Sequence, residues 1–478
     1  MSSSTHSAIP DRLRAVVEEA GALAEHFAKA GHRVYLVGGS VRDALVGRPG
    51  GSPDCGLAPD ADLDFTTAAR PDEVERLVRG WADAVWTHGK DYGTIGCRYA
   101  GRQYEITTFR AEAYRPDSRK PEVAYGHELE VDLSRRDFTV NAMALALPNP
   151  ELIDPFGGLA DLAAQRLRTP LDPATSFTDD PLRMLRAARF VAGYRLEPAP
   201  ELQTAARELA ERLGIVSAER IRDELSKLIV LPDPSAGLWF LVETGLADQF
   251  LPELPALRLE QDPIQRHKDV LAHTIAVVAK TRPDKVLRLA ALLHDIGKPR
   301  TRSYGQDGVS FHHHDVVGAR MARARLEALR YSNAEIEQVS RLVELHLRFH
   351  TYRLGWTDSA LRRYARDAGP LLERLNLLTR ADCTTRNQNR ARTLERRMDE
   401  LEVRLAELRE REELEAIRPE LDGNEVMAEL GLAPGRDVGR ALAFLLELRL
   451  EEGVLGRDEA RRQLREWWER EHGPVAPA

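Results

Sequence analysis

The stretch "APDADLDFTT" (58–67) sets carboxylates at Asp60, Asp62 and Asp64, with Leu63 and Phe65 filling the gaps around the last two. In a strand, alternate side chains share a face, so Asp62 and Asp64 would stand side by side and repel. Divalent cations held through oxygen ligands would remove that repulsion. Paired cations on such carboxylates suit in-line phosphoryl or nucleotidyl transfer: one acidifies the attacking hydroxyl, the other neutralises the leaving phosphates. A triphosphate also needs backbone N–H groups and a cation. "LVGGSVRD" (36–43) offers both, since Gly38 and Gly39 permit close approach at a helix N-terminus and Arg42 lies one turn inside. Taken singly, Gly-Gly is a turn and D-x-D is common on surfaces. The inference rests on the two together.

A second set centres on "LLHDIGK" (292–298), where His294 and Asp295 are adjacent. His273, His314, His346 and Asp382 flank it along the chain, all in or beside segments of helical period. Imidazole and carboxylate ligands suit Ni, Mn, Zn or Fe better than Mg alone. A lone His is an ordinary surface or core residue, and His267, His312, His313 and His350 find no place in the set.

The elements that must position these residues are readable from local pattern. Residues 11–30 have the period of an amphipathic helix, "HRVYLVGG" is a strand ending in a turn, and "SVRDALVG" opens a helix. "DLDFTT" reads as a strand, "PDEVERLVRGW" as a helix, and "GTIGCRYAGRQYEITTFR" as a hairpin turning at Ala100-Gly101. From about residue 170 onward nearly everything has helical period. Breaks near 231–234, 251–263 and 418–425 are the expected boundaries.

Gly-Gly-x-x-Arg-Asp followed after about 20 residues by D-x-D resembles the polymerase-β-like nucleotidyltransferases. More specifically it resembles the bacterial and eukaryotic CCA-adding tRNA nucleotidyltransferases and their poly(A) polymerase relatives. Further motifs follow in that family's order: "RRDFTVNAMA" (135–144), "DPFGG" (154–158), "DDPLRMLRAARF" (179–190) and "SAERIRDELSKLI" (217–229). Asp179 stands where the family usually has Glu. The resemblance implies Asp62 and Asp64 as catalytic Mg²⁺ ligands. It implies Gly38, Gly39, Arg42, Arg136, Arg183 and Arg186 at the nucleotide, Asp137 at the ribose and Asp180 at the base. Glu105, in "YEITTFR", is a candidate third carboxylate. The order H, HD, H, H, D resembles the HD phosphohydrolases and implies a metal site of His273, His294, Asp295, His314, His346 and Asp382, with RNA-end phosphates or cyclic phosphates as substrates.

Donor–acceptor chemistry bears on base choice. Cytosine and adenine both present an amine beside a ring-nitrogen acceptor, and a carboxylate beside a guanidinium matches that edge. Asp180 and Arg183, three apart on one helix face, would accept C and A and leave U and G with unpaired groups. The plainer reading is an ordinary i, i+3 salt bridge. The segment "AYRPDSRKPE" (113–122) is polar and broken by Pro, so it is expected as a mobile loop. In the family, a full-length loop here goes with complete CCA addition and a shortened one with CC addition.

The bulk numbers fit this picture. A chain of 478 residues that is 43% hydrophobic can bury several cores. Three scattered cysteines form no disulfide framework, and the start "MSSSTHSAIPDRLR" has no apolar signal, so a cytoplasmic protein is expected. A net charge of −8 gives no support to an RNA partner, although 346–366 carries five Arg against one Asp and 380–397 six against two acids. On charge alone these are solvated helix faces.

The expected fold is α+β, with a mixed-sheet nucleotidyltransferase head over 1–170. An all-α remainder follows: a neck over 171–260, an HD region over 261–395 and a tail over 396–478 that holds tRNA. A coiled dimer contact through 395–416 competes with that last role. The expected activity is addition of C, C and A to the tRNA acceptor end from CTP and ATP. A poly(A) polymerase, or a protein acting chiefly as an HD phosphohydrolase, is the alternative.

Overall fold

The computed structural model describes residues 11–46, 62–115, 118–126, 128–259, 269–305, 308–351, 357–383, 388–412 and 417–472. Asp60, Cys55 and His267 lie outside them. The chain forms two compact units, Met1–Pro252 and Glu253–Ala478.

Beside a two-residue parallel pair, Arg166–Leu167 with Glu197–Pro198, the first unit is built on nine strands among the described residues: β1 (Val34–Val37), β2 (Leu63–Thr67), β3 (Ala84–Trp86), β4 (Thr94–Tyr99), β5 (Arg102–Thr108), β6 (Arg110–Arg115), β7 (Ser118–Tyr125), β8 (Ala144–Leu147) and β9 (Glu151–Ile153). Seven of them make one sheet in the order β3-β4-β5-β2-β1-β8-β9. All its pairs are antiparallel except β2 with β5. One face is closed by the helix Asp11–Lys29, whose Leu13, Val16, Ala20, Leu23 and Phe27 repeat at three and four residues and are fully buried. They pack with Val34, Leu36, Leu63, Phe65, Ile95 and Ile106 from alternate strand positions. The β4–β5 turn has Ala100 and Gly101 both at positive φ, 50° and 82°, the twist a two-residue hairpin demands.

Strand alternation puts the residues between these core positions on the opposite face. Asp62, Asp64 and Thr66 of the β2 segment therefore look away from the helix-backed core. Of the segment 113–122, expected as a loop, residues 113–115 and 118–122 lie instead in the paired strands β6 and β7, with Arg110 opposite Tyr125 and Arg115 opposite Ser118; residues 116–117 are outside the described residues. An isolated two-stranded ribbon tolerates Pro121 because one edge of each strand needs no partner. Helices then continue to the end of the unit, including Pro173–Asp179, Leu182–Gly193 and Ala218–Ile229.

The second unit is helical apart from a short hairpin, Arg302–Gly305 with Gly308–Phe311, which helical period did not announce. Four arginines of its basic stretches are paired within the unit. Arg348 meets Asp367, Arg362 meets Glu412 at 2.9 Å, Arg363 meets Glu447 and Glu451, and Arg380 meets Asp399 and Glu402 at 2.8 and 2.7 Å. The solvated-face reading of those stretches fits better than a free basic patch. In the helix Gln388–Arg411, Met398, Leu401, Leu405 and Leu408 are buried, and the helices Asp358–Ala368 and Leu372–Asp382 pack against it. That stripe is covered by its own chain, which removes the support for a coiled dimer contact there. Among the described residues no helix is long and apolar enough to cross a membrane.

Candidate active centres

In the first unit, Asp64 on β2 lies directly beside Glu105 on β5 in the parallel register, on the same face. Asp62 is exposed at the entrance to β2. Burial, with Glu105 and Asp62 adding like charge, pushes the Asp64 carboxyl up to about 6 against the pull of Arg136. Burial and Asp62 likewise raise Glu105. These carboxylates are thus electrostatically unfavourable as a group, the condition a divalent cation cancels, and all-oxygen donors suit Mg²⁺. Gly38 turns the chain at φ 71°; a Cβ there would lie 3.0 Å from Arg136 Nη1 and 3.8 Å from Asp64 Oδ2. Glycine is needed here both for the turn and for the close approach of the Arg136 guanidinium.

Arg42 is placed differently from a residue waiting for phosphate. It is buried, donates from Nε to Asp43 Oδ1 at 2.8 Å, from Nη1 to Asn141, and from Nη2 to the Tyr194 hydroxyl at 2.5 Å. Its guanidinium lies 4.2 Å from the Tyr194 ring centroid. Asn141 also donates to Asp137 Oδ1 at 2.8 Å, and Arg186 grips Asp137 Oδ2 from Nε and Nη2 at 2.9 and 2.6 Å. Burial opposes the charge on Asp137, yet Arg186 and Asn141 hold its carboxyl well below the usual carboxylate range.

Asp180 and Arg183 do not form the i, i+3 salt bridge. Asp180 Oδ1 accepts from the Leu182 N–H at 3.1 Å and Oδ2 from Arg220 at 3.0 Å. Arg183 donates to Ser176 Oγ at 2.8 Å and to the Arg135 carbonyl at 2.6 Å. Two lone-pair sites of Asp180 are thereby used and two remain.

In the second unit, all six histidine and carboxylate candidates converge. His294 and Asp295 follow the helix Lys285–Leu293, which Asp284 caps by accepting from the Leu287 N–H at 2.8 Å. His314 opens the helix His314–Ala328, His346 follows Asn333–Leu345, and Asp382 ends Leu372–Asp382. His273 Nε2 sits 2.8 Å from Asp382 Oδ1. Asp295 is shared by two triads, with His273 and His294 on one side and His314 and His346 on the other. Its Oδ2 faces His294 Nε2 at 3.2 Å and its Oδ1 faces His314 Nε2 at 3.4 Å.

The tautomers follow from chemistry. Nδ1 of His294, His314 and His346 lies 2.8, 2.7 and 2.6 Å from the carbonyls of Ala291, Phe311 and Val343. A carbonyl only accepts, so each Nδ1 carries the proton and each Nε2 lone pair points inward. His346 Nε2 then meets His314 Nε2 at 3.3 Å, lone pair to lone pair, and His294 Nε2 is buried without a hydrogen-bond partner. A cation is what this donor set lacks, and the residues fit a divalent metal.

Sequence reading missed several supports. Asn141 and Tyr194 lock Arg42, Asp132 and Arg220 hold other charged groups, and Lys298 Nζ lies 2.6 Å from Asp295 Oδ2. Asn141, four residues after Asp137, and Lys298, three after Asp295, carried local signals, each within one motif.

Three family models match: the poly(A) polymerase head domain over residues 34–168, the probable RNA- and SrmB-binding site of polymerase A over 195–257, and the HD domain over 270–387. An A-adding tRNA nucleotidyltransferase of Deinococcus radiodurans is 39% identical over 362 residues, 72% of this chain and 81% of that protein. A CCA-adding enzyme of Bacillus velezensis is 40% identical over 235 residues, 48% of this chain and 54% of that one, so the chain spans about half the length of that relative. The fold is similar to that of the Bacillus stearothermophilus CCA-adding enzyme solved with CTP, at a TM-score of 0.67 and 23% identity, covering 97% of this chain and 99% of that one. It is also similar to that of the Thermotoga maritima CCA-adding enzyme solved with tRNA, at a TM-score of 0.58 and 17% identity, covering 96% of each. The motif order of the head and neck and the identity to these relatives agree: the chain belongs to the CCA-adding enzyme and poly(A) polymerase family of nucleotidyltransferases and carries a C-terminal HD domain.

Proposed function

We propose that this chain adds C, C and A to tRNA 3′ ends from CTP and ATP, without a nucleic-acid template, releasing pyrophosphate. The observation that carries this reading is the cluster of Asp62, Asp64 and Glu105 on one sheet face beside Gly38 and Arg136. In this reading Asp62 and Asp64 hold Mg²⁺, with Glu105 as a third ligand. Bound there, Mg²⁺ would lower the pKa of the attacking 3′-hydroxyl and neutralise triphosphate charge. Gly38, Gly39 and Arg136 bind the triphosphate, Asp137 binds the ribose held by Arg186, and Arg42 fixes the glycine turn through its buried network. The tRNA acceptor end, CTP and ATP as partners and a cytoplasmic location belong to the same reading. So does the finer division into head (1–170), neck (171–260), HD region (261–395) and tRNA-holding tail (396–478).

A second reading is A addition alone. It is favoured by the A-adding relative, whose match runs over 362 residues where the CCA-adding enzyme of Bacillus velezensis matches over 235. The two part on a tRNA lacking all three terminal nucleotides, which only the first extends with CTP.

Asp180 and Arg183 remain our candidates for reading the base edge. Asp180→Ala is expected to remove discrimination against UTP and GTP and to weaken CTP and ATP alike by about 1–3 kcal/mol, roughly one to two powers of ten. Steady-state incorporation of all four NTPs checks this, and full retention of the CTP and ATP preference would refute it.

For the second unit we propose metal-dependent phosphohydrolysis, in which His273, His294, Asp295, His314, His346 and Asp382 would hold a divalent metal that activates water. Ni²⁺, Mn²⁺, Zn²⁺ and Fe²⁺ are the candidates for this histidine-rich set.

A further inference from the structure

Asp132 lies in the short helix Leu129–Ser134 and is completely buried. A carboxylate out of water is tolerated only when its oxygens are satisfied and its charge is matched. Oδ1 accepts from Arg135 Nε and Nη2 at 3.1 and 2.7 Å and from the Arg110 backbone N–H at 3.4 Å. Oδ2 lies 3.3 Å from Thr66 Oγ1, whose single proton is shared with the Thr107 carbonyl at 3.0 Å, and 3.6 Å from Arg136 Nη2. Burial opposes the charge, but Arg135 and Arg136 hold the carboxyl below the usual range.

These contacts come from three directions. Thr66 is two residues beyond Asp64 on the same face of β2. Arg110 is the first residue of the β6–β7 hairpin. Arg136 reaches from Asp132 toward the turn, its Nη1 next to Gly38 and its charge felt by Asp64. Among the described residues, Arg136 Nε is buried with no hydrogen-bond partner. The guanidinium is therefore flanked on one side by Asp132 and faces Asp64 on the other.

We propose that Asp132 is a positioning residue for nucleotidyl transfer: its Oδ2 fixes the Arg136 guanidinium between Gly38 and Asp64, where the triphosphate oxygens enter. The inference rests on the reading of the head as a triphosphate-binding centre. Asp132 touches no nucleotide itself. It acts through Arg136, so its removal should be felt at the triphosphate and only while Arg136 is present.

The test is a double-mutant cycle read by calorimetric binding of CTP to the full chain, with Mg²⁺ present. Asp132→Asn keeps the shape and removes the charge. It is expected to weaken CTP about tenfold and to raise KM with kcat within about twofold. In an Arg136→Ala background the same change should cost less than about twofold. Thr66→Val removes the hydroxyl that Oδ2 shares with the Thr107 carbonyl and leaves the charge, and carries the test through its dependence on Arg136 if Asp132→Asn does not fold. A two- to threefold loss that vanishes with Arg136→Ala is then expected, on the order of one neutral hydrogen bond. Equal losses in both backgrounds, or unchanged CTP affinity in the folded variant, would overturn the proposal while leaving the head reading intact. Failure of the unmodified chain to bind CTP would overturn both.

Discussion

Asp64→Ala and Asp62→Ala are each expected to abolish nucleotide addition, lowering the rate at least about a thousandfold, on the order of 4 kcal/mol of transition-state stabilisation. The physical reason is that the two side chains share a sheet face with Glu105 and form its only outward charge cluster on β2 and β5 among the described residues. Burial above all, with like charge from Glu105 and Asp62 added, pushes the Asp64 carboxyl up to about 6, a carboxylate poorly placed without a cation and a good ligand with one. Fold stability should not fall, because Asp62 is exposed and truncating Asp64 relieves like-charge repulsion. Thermal unfolding and single-turnover addition on the same preparations separate the two effects. Near-normal addition by either folded variant would contradict the assignment.

The second large effect is expected in the other unit. Replacing His294 and Asp295 together by Ala should remove metal-dependent hydrolysis of cyclic and terminal phosphates, well beyond the ten- to hundredfold that changes outside the ligand shell cost. CTP and ATP incorporation should be spared, since Asp64 and His294 lie in separate compact units, Met1–Pro252 and Glu253–Ala478. Asp295 is the sharper half of the pair because both triads use it. Hydrolysis of 2′,3′-cyclic AMP with added Mn²⁺ or Ni²⁺, measured beside nucleotide addition, reads both centres. Loss of both activities in a folded variant, or unchanged hydrolysis, would contradict this account.

How much of this was legible in the chain depends on range. The D-x-D strand, the glycine turn and the Ala100-Gly101 hairpin are local. Alternation and positive-φ chemistry act over two to four residues, and each is found as read. The six-residue metal set was legible only as an order of residue types, and the helix termini supply its geometry. What local pattern missed is non-local. Asp180 finds its partner in Arg220, forty residues on, and Arg42 finds Asn141 and Tyr194 from two other elements. Asp132 beside two arginines has the appearance of a solvated charge, yet Thr66 and Arg110 enclose it. The basic stretches read as solvated faces, but their partners Glu402, Glu412 and Glu447 come from later in the chain and were not legible. The pairing of β6 with β7 was hidden by Pro121, which reads as a break where the pairing is carried by other residues.

The central claim is tested most directly by giving the unmodified chain a tRNA that ends before C74 and each labelled NTP in turn, then CTP with ATP, and sizing the products. The expected products are two additions with CTP alone, none with UTP or GTP, and one further addition when ATP is present. No extension of this tRNA by CTP, or an unbroken run of added A, would contradict CCA addition.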